Sequence, residues 1–316
     1  MFNEEILSNM SKELEKYFEK DSNLYNASKH LLLAGGKRIR PYLSIMAYNL
    51  KKDDLETIMA PALSVELIHN YTLVHDDIMD NDDERRGKPT VHKVYGEPIA
   101  ILAGDLLYAK AFEALSTIED SVKAHKVLKV LSKACVEVCE GQTDDMEFED
   151  KLPSMDQYMD MISKKTGALI EAPILIGAIM ADCTKEETEA LYQYSKRIGI
   201  NFQIQDDILD LIGDQKTIGK PVGSDILSGK KTMMVIHALD TLSEDNKERL
   251  LQILGNENAS SEEVAEAIKI LGNSINYAKN LMNESTVEAK EFLKIFDENK
   301  RKPLEDIADF IVSRIK

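Results

Sequence analysis

Glu66–Asp80 reads ELIHNYTLVHDDIMD. It closes a longer run, Leu55–Ile78, in which apolar residues recur at helical period before the chain turns acidic. The same period marks Ile99–Leu115, Ser121–Val138, Met155–Lys165, Lys185–Leu211, Ser274–Phe296 and Leu304–Ile315. Strand-like alternation is nearly absent, and the prolines fall mostly at segment starts or in connectors. No stretch rich in Gly, Ser or Pro divides the chain. The expectation is an all-α fold, one helical domain spanning residues 1–316.

Composition narrows the function. The 316 residues are 43% hydrophobic, enough for a large core, and the net charge of −17 argues against a broad nucleic-acid footprint. Cys135, Cys139 and Cys183 are odd in number and lack CxxC spacing, so buried inert thiols are expected rather than a disulfide framework or zinc site. The opening MFNEEILSNMSKELEKYFEK reads as an acidic amphipathic helix, not a signal peptide. No apolar run approaches the ~20 residues of a membrane span. A cytoplasmic protein is expected.

Most of the acid is solvated helix surface, but two clusters are different. Asp76, Asp77 and Asp80 end the first quoted run, and Gln203–Asp210 (QIQDDILD) repeats the arrangement with Asp206, Asp207 and Asp210. Residues four apart lie about 40° from each other on a helix, so Asp76 and Asp80 share a face, as do Asp206 and Asp210. His69 falls on the same stripe as Asp76, and Gln203 on that of Asp210. Like charges at this spacing repel, by roughly 4 kcal/mol at ~4 Å and an effective dielectric near ~20, and anions at a helix C-terminus oppose its dipole. A divalent cation resolves the conflict, and oxygen donors of this kind suit Mg²⁺. One such cluster is more readily a solvated helix end. Two with matching context, facing each other across a cavity, would hold a diphosphate through bridging metal.

Basic groups lie close by in sequence. Arg85 and Arg86 follow the first cluster, and Gly35–Pro41 (GGKRIRP) offers Lys37, Arg38 and Arg40 at a helix start, suited to phosphate oxygens. The connector Gly213–Thr232 holds four glycines and four lysines. It is either a flexible surface loop or a functional one.

Together these residues resemble the polyprenyl synthetase family, the trans-isoprenyl diphosphate synthases. The likeness runs through LLAGGKRIRP (Leu32–Pro41), Glu66–His92, YGEPIAILAGD (Tyr95–Asp105), KTGAL (Lys165–Leu169), FQIQDDILD (Phe202–Asp210), GKPVGSDILSGKKT (Gly219–Thr232) and LEDIADFIVSR (Leu304–Arg314). It implies ten to thirteen helices around a deep apolar cavity, usually in a homodimer. It implies three Mg²⁺ per active site, held by Asp76, Asp77, Asp80, Asp206, Asp207 and Asp210. The allylic diphosphate then falls to Arg85, Lys165, Thr166, Gln203, Lys220 and Lys230, with Lys165, Thr166, Gln203 and Lys220 in catalytic roles. Isopentenyl diphosphate falls to Gly36, Lys37, Arg40, His69 and Arg86. The reaction implied is head-to-tail condensation: an allylic cation forms as pyrophosphate departs, and the isopentenyl double bond attacks it. The loop at 213–232 would act as a lid against water.

A class I terpene cyclase would not need GGKRIRP or a second intact DDxxD. A head-to-head synthase would not be expected to carry GGKRIRP either. A silent regulatory subunit would have degraded aspartates. For product length the resemblance points to Tyr71 as an aromatic floor, with small Thr72 and then Ile68 nearby. Helix arithmetic turns Tyr71 about 140° from Asp76, so packing against a neighbouring helix stays open. The first motif lacks the insertion of bacterial farnesyl synthases and is similar to archaeal geranylgeranyl synthases. The expected product is geranylgeranyl diphosphate, with farnesyl diphosphate as intermediate or co-product.

Overall fold

The computed structural model describes residues 3–213 and 222–314. Its first ten helices are α1 (Glu4–Lys16), α2 (Asn23–Leu32), α3 (Ile39–Asn49), α4 (Leu55–Met79), α5 (Val91–Tyr95), α6 (Glu97–Leu115), α7 (Ser121–Glu147), α8 (Met155–Ile162), α9 (Ala168–Met180) and α10 (Lys185–Ile212). Further helices cover Ser224–Leu227, Met233–Thr241, Glu244–Ile253, Ser261–Ile270, Gly272–Phe292 and Glu298–Ser313. Among the described residues the strand content is one two-residue ladder, Glu84–Arg85 against Lys88–Pro89. The fold is all-α.

The residues group into two compact units. The first comprises Met1–Cys135, Leu169–Tyr192 and Lys294–Leu304, the second Val136–Ala168, Gln193–Leu293 and Glu305–Lys316.

In the first unit α4 is buried nearly all round. Its cap is Asp54, whose carboxylate accepts from the Thr57 amide, and it carries Ile58, Leu63, Val65, Leu67, Ile68 and Val74 into the core. Each such side chain contributes roughly 1.5–3 kcal/mol. Among its buried polar groups, Glu66 meets Arg38 at 2.5 Å and accepts from Asn70 Nδ2 at 3.0 Å. α4 packs on α6 and α3. The approach to α6 needs glycine at 104, because a Cβ there would lie 2.2 Å from His75 Nε2.

In the second unit, α8 starts from a reciprocal Ser154–Gln157 cap and buries Tyr158, Met161 and Ile162. They join Ile204, Ile208 and Leu211 of α10 and the run Met233–Ile236 in one core cluster.

Three expectations need correction. α7 continues to Glu147 instead of stopping near Val138. Gly141 lies within that extension: a Cβ on it would sit 2.3 Å from the Lys165 amide nitrogen, so the glycine serves a close approach. Pro61, Pro173 and Pro303 lie inside helices. Cys135 is buried as expected, but Cys139, one turn on, is exposed.

Candidate active site

Both acidic motifs sit at the C-terminal ends of long helices, and in each the carboxylates divide by environment. Asp80 is the C-cap of α4 and exposed, and Asp76 is partly exposed. Asp77 is fully buried, and its Oδ1 accepts from Arg85 Nε. In α10 the Asp206 side chain is 44% exposed and meets Arg314 at 2.5 Å. Asp207 is buried, with Oδ2 taken by the Tyr158 hydroxyl at 2.5 Å and Oδ1 by Gln203 Nε2 at 2.7 Å. Asp210 is buried as well: it accepts from the Ser224 hydroxyl and, at 3.0 Å, from the Asp225 amide, tethering the segment after residue 222.

Burial raises the Asp77 carboxyl above the usual carboxylate range despite the nearby Arg85 charge. Burial, then the Asp225 charge, raises Asp207. Burial thus disfavours the ionised form of both Asp77 and Asp207. Within the first unit Asp76 and Asp80, and within the second Asp206, are carboxylates open to solvent, and each is the kind of donor that suits Mg²⁺, which commonly takes one or two carboxylates and completes its shell with water and substrate phosphate. Among the described residues no three His, Cys, Asp or Glu side chains are gathered closely enough to chelate an ion by themselves.

The basic groups of the first unit converge on His69. Arg40 Nη1 lies 3.2 Å from His69 Nε2. Burial, then the charges of Arg40, Arg86, Arg85 and Arg38, hold the imidazole well below its ordinary pKa, so it is neutral. Arg86 is fixed by an unusual backbone: it has φ 55°, and with Gly87 at φ 70° it turns the two-residue hairpin. Its Nη1 donates to Gly35 O at 2.6 Å and Leu31 O at 3.3 Å. Gly36, at φ 132°, lies beneath that guanidinium, where a Cβ would come within 3.2 Å. Gly36 and Arg86, far apart in sequence, are one local structure. Arg38 takes another role, turned inward to Glu66 and Leu32 O.

Lys165 and Thr166 sit in a single π turn, Ser163–Gly167, between α8 and α9. Such turns often mark functional positions, because the bulge re-aims side chains within a helix. Lys165 pairs with Asp145 at 2.5 Å, and the Thr166 hydroxyl donates to Gln203 Oε1 at 2.6 Å. Lys230 lies 3.7 Å from Asp225. Lys220 lies outside the described residues, as does the stretch 214–221 of the loop expected as a lid. Tyr71 contacts the rings of His75 and, on α6, Tyr108, at centroid distances of 4.7 and 5.2 Å, and Tyr108 reaches Phe112. It does pack against a neighbouring helix. Thr72 donates to His69 O, and Ile68 is fully buried.

Tyr158, Asp145 and Arg314 were not singled out from the sequence. Tyr158 precedes Lys165 by seven positions, about 20° from it on an ideal helix, a signal that was legible. Asp145 and Arg314 lack one, since their partners are distant in the chain.

An all-α fold whose two long helices each end in DDxxD, with a cluster of guanidiniums beside the first, is the arrangement of an enzyme that handles diphosphate esters. A polyprenyl synthetase family model matches residues 21–271, and the chain belongs to that family. The short chain isoprenyl diphosphate synthase of Methanocaldococcus jannaschii is 69% identical over 315 residues, covering 100% of this chain and 96% of that one. The geranylgeranyl pyrophosphate synthetase of Pyrococcus horikoshii superposes with TM-score 0.90 at 45% identity, over 98% of this chain and 99% of that one. The geranylgeranyl pyrophosphate synthase of Corynebacterium glutamicum, solved with isoprenyl diphosphate and magnesium, gives 0.87 at 26% identity, over 98% and 96%.

Proposed function

We propose that the protein is a Mg²⁺-dependent trans-prenyltransferase that condenses isopentenyl diphosphate with allylic diphosphates, yielding mainly geranylgeranyl diphosphate. The observation that carries this reading is the gathering of Arg40, Arg85 and Arg86 around a neutral His69 in the same unit as the solvent-facing Asp76 and Asp80. Fixed cations give one diphosphate a site that needs no metal, while the outer carboxylates serve a metal-bound diphosphate.

When bound, Mg²⁺ neutralises the charge developing on departing pyrophosphate. In this reading Asp76 and Asp80 would hold metal at the first motif and Asp206 at the second, while Asp77, Asp207 and Asp210 hold their surroundings. Lys37, Arg40, His69 and Arg86 bind isopentenyl diphosphate over the Gly36 backbone. Lys165, Lys230, Lys220 and Arg85 are assigned to the allylic diphosphate. The oxygens of Thr166 and Gln203 face the carbon that becomes cationic, a dipole arrangement that favours ionisation. Pyrophosphate itself takes the final proton, so no side-chain base is invoked.

The family model spans residues of both compact units, which supports treating 1–316 as one domain. Exposed Ile101 and Leu102 on α6, with Val122 and Leu128 on α7, support a homodimer that covers them. No helix among the described residues is long and apolar enough to cross a membrane, and the reaction is assigned to the cytoplasm. The deciding experiment gives purified protein Mg²⁺, isopentenyl diphosphate and each short allylic primer, and resolves products by length. A twenty-carbon main product is expected. No elongation of any primer, or none lost on chelating Mg²⁺, overturns the reading.

A further inference from the structure

Two guanidiniums hold the connection between α2 and α3, and one of them is sealed in the core. Leu31 and Leu32 form the last turn of α2, whose carbonyls find no partner further along the helix. Arg86 Nη1 donates to Leu31 O and Gly35 O, and Arg38 Nη2 donates to Leu32 O. Arg38 Nη1 also meets Glu66 Oε1 at 2.5 Å, with the two side chains 7% and 3% exposed. Glu66 is itself anchored on α4, since Asn70 Nδ2 donates to its Oε1 at 3.0 Å and to its backbone carbonyl at 2.8 Å. The backbone at Arg38 needs such a hold. It is the N-cap of α3 at φ 52° and ψ 34°, a left-handed conformation that residues with a side chain avoid. Gly35 and Gly36, at φ 104° and 132°, would by themselves be free to take many other conformations.

We propose that Glu66 is a positioning residue for isopentenyl diphosphate: it clamps Arg38 against Leu32 O and so fixes the backbone of 35–38, which presents Gly36, Lys37 and Arg40 to the diphosphate. This rests on the reading above that the cation cluster holds that ligand. Neither Glu66 nor Arg38 touches the diphosphate. Their pair carries no net charge, so its contribution is geometric. Replacing both members leaves the charge around the ligand unchanged and frees residue 38 to quit the left-handed region. A lysine at 38 would keep the charge but lose the planar fork that spans the carboxylate and the carbonyl.

The test measures isopentenyl diphosphate binding by calorimetry without Mg²⁺, where only the fixed cations act, and binding of a non-ionising allylic thiolodiphosphate with Mg²⁺. The paired replacement of Arg38→Met with Glu66→Leu should hold the melting temperature, as apolar residues in place of a buried ion pair often do. It should raise the Kd of isopentenyl diphosphate about tenfold, the worth of one oriented charge-assisted hydrogen bond, and leave the allylic analogue within about twofold. Amide hydrogen exchange at 35–37 should quicken in the same variant. Arg38→Lys and Glu66→Asp, each keeping its charge, should weaken isopentenyl diphosphate with the same selectivity, and they carry the test if the paired variant does not fold. Unchanged isopentenyl diphosphate affinity in these variants, or equal weakening of both ligands, overturns the positioning role. If the wild type itself does not bind isopentenyl diphosphate without Mg²⁺, the reading of the cation cluster fails and the proposal with it, a result distinct from wild type and variants binding alike.

Discussion

Asp206 and Asp207 are adjacent in sequence and opposite in environment, and the difference has measurable consequences. Asp76→Ala or Asp206→Ala should lower kcat by about 10²–10³, the usual result of removing one electrostatic element from a charged transition state. Steady-state turnover at saturating Mg²⁺ checks it, and near wild-type rates in either variant would refute the metal assignment. Stability should respond at Asp206 too, because its loss leaves the Arg314 guanidinium, 7% exposed, without that carboxylate. With Asp206 half in solvent, the cost is on the order of 1 kcal/mol, read as a lower urea midpoint. His69 supplies a pH dependence. Its folded pKa lies well below the ordinary 6.5, so below that pH the unfolded chain takes up a proton that the native imidazole refuses. Native stability is thus intact above about pH 6.5 and falls as pH drops toward 5. In phosphate-free buffer the wild type should lose more of its urea midpoint between pH 7 and 5 than His69→Gln. Equal losses would mean that His69 protonates freely in the native state.

At the scale of elements, the site depends on how closely helices approach. Gly141 of α7 lies against the backbone of the π turn, where a Cβ would come within 2.3 Å of Lys165 N. Gly141→Ala should destabilise the protein by about 1–3 kcal/mol through overpacking and lower kcat by displacing Lys165 and Thr166. Thermal melting with kinetics tests both, and an unperturbed kcat would show that the turn tolerates the shift. The second case is α4 against α6. Tyr71 forms an aromatic wall with Tyr108 and Phe112. Tyr71→Ala should open that wall and lengthen the product. Each added isoprene unit buries five carbons, worth roughly 4 kcal/mol at ~0.8 per carbon, so new apolar room should be filled. Chromatography of the dephosphorylated products reports it, and an unchanged product ladder would place the floor elsewhere.

For the whole molecule the open quantity is its assembly. The proposed homodimer would cover the exposed apolar side chains on α6 and α7. Sedimentation should give twice the chain mass of 35.6 kDa, and replacing Ile101 and Leu102 together with Lys should shift it toward one. A wild-type monomer at micromolar concentration would refute the homodimer.

The sequence by itself determined the all-α class, because helical periodicity is a local property: α4 ends within one residue of the reading, at Met79 instead of Ile78, and α10 at Ile212 instead of Leu211. It also supplied the two DDxxD motifs and GGKRIRP, whose chemistry is written in residue type and spacing. Tertiary structure decided which member of each motif is a carboxylate open to a ligand and which is a buried strut. Exposure and pairing depend on partners far along the chain, such as Tyr158 for Asp207, Arg314 for Asp206 and Glu66 for Arg38. It also made Gly141 a contact point between α7 and the π turn, and joined Gly36 to Arg86. No periodicity encodes those meetings; they arise when helices pack, because packing alone sets distances between residues remote in sequence.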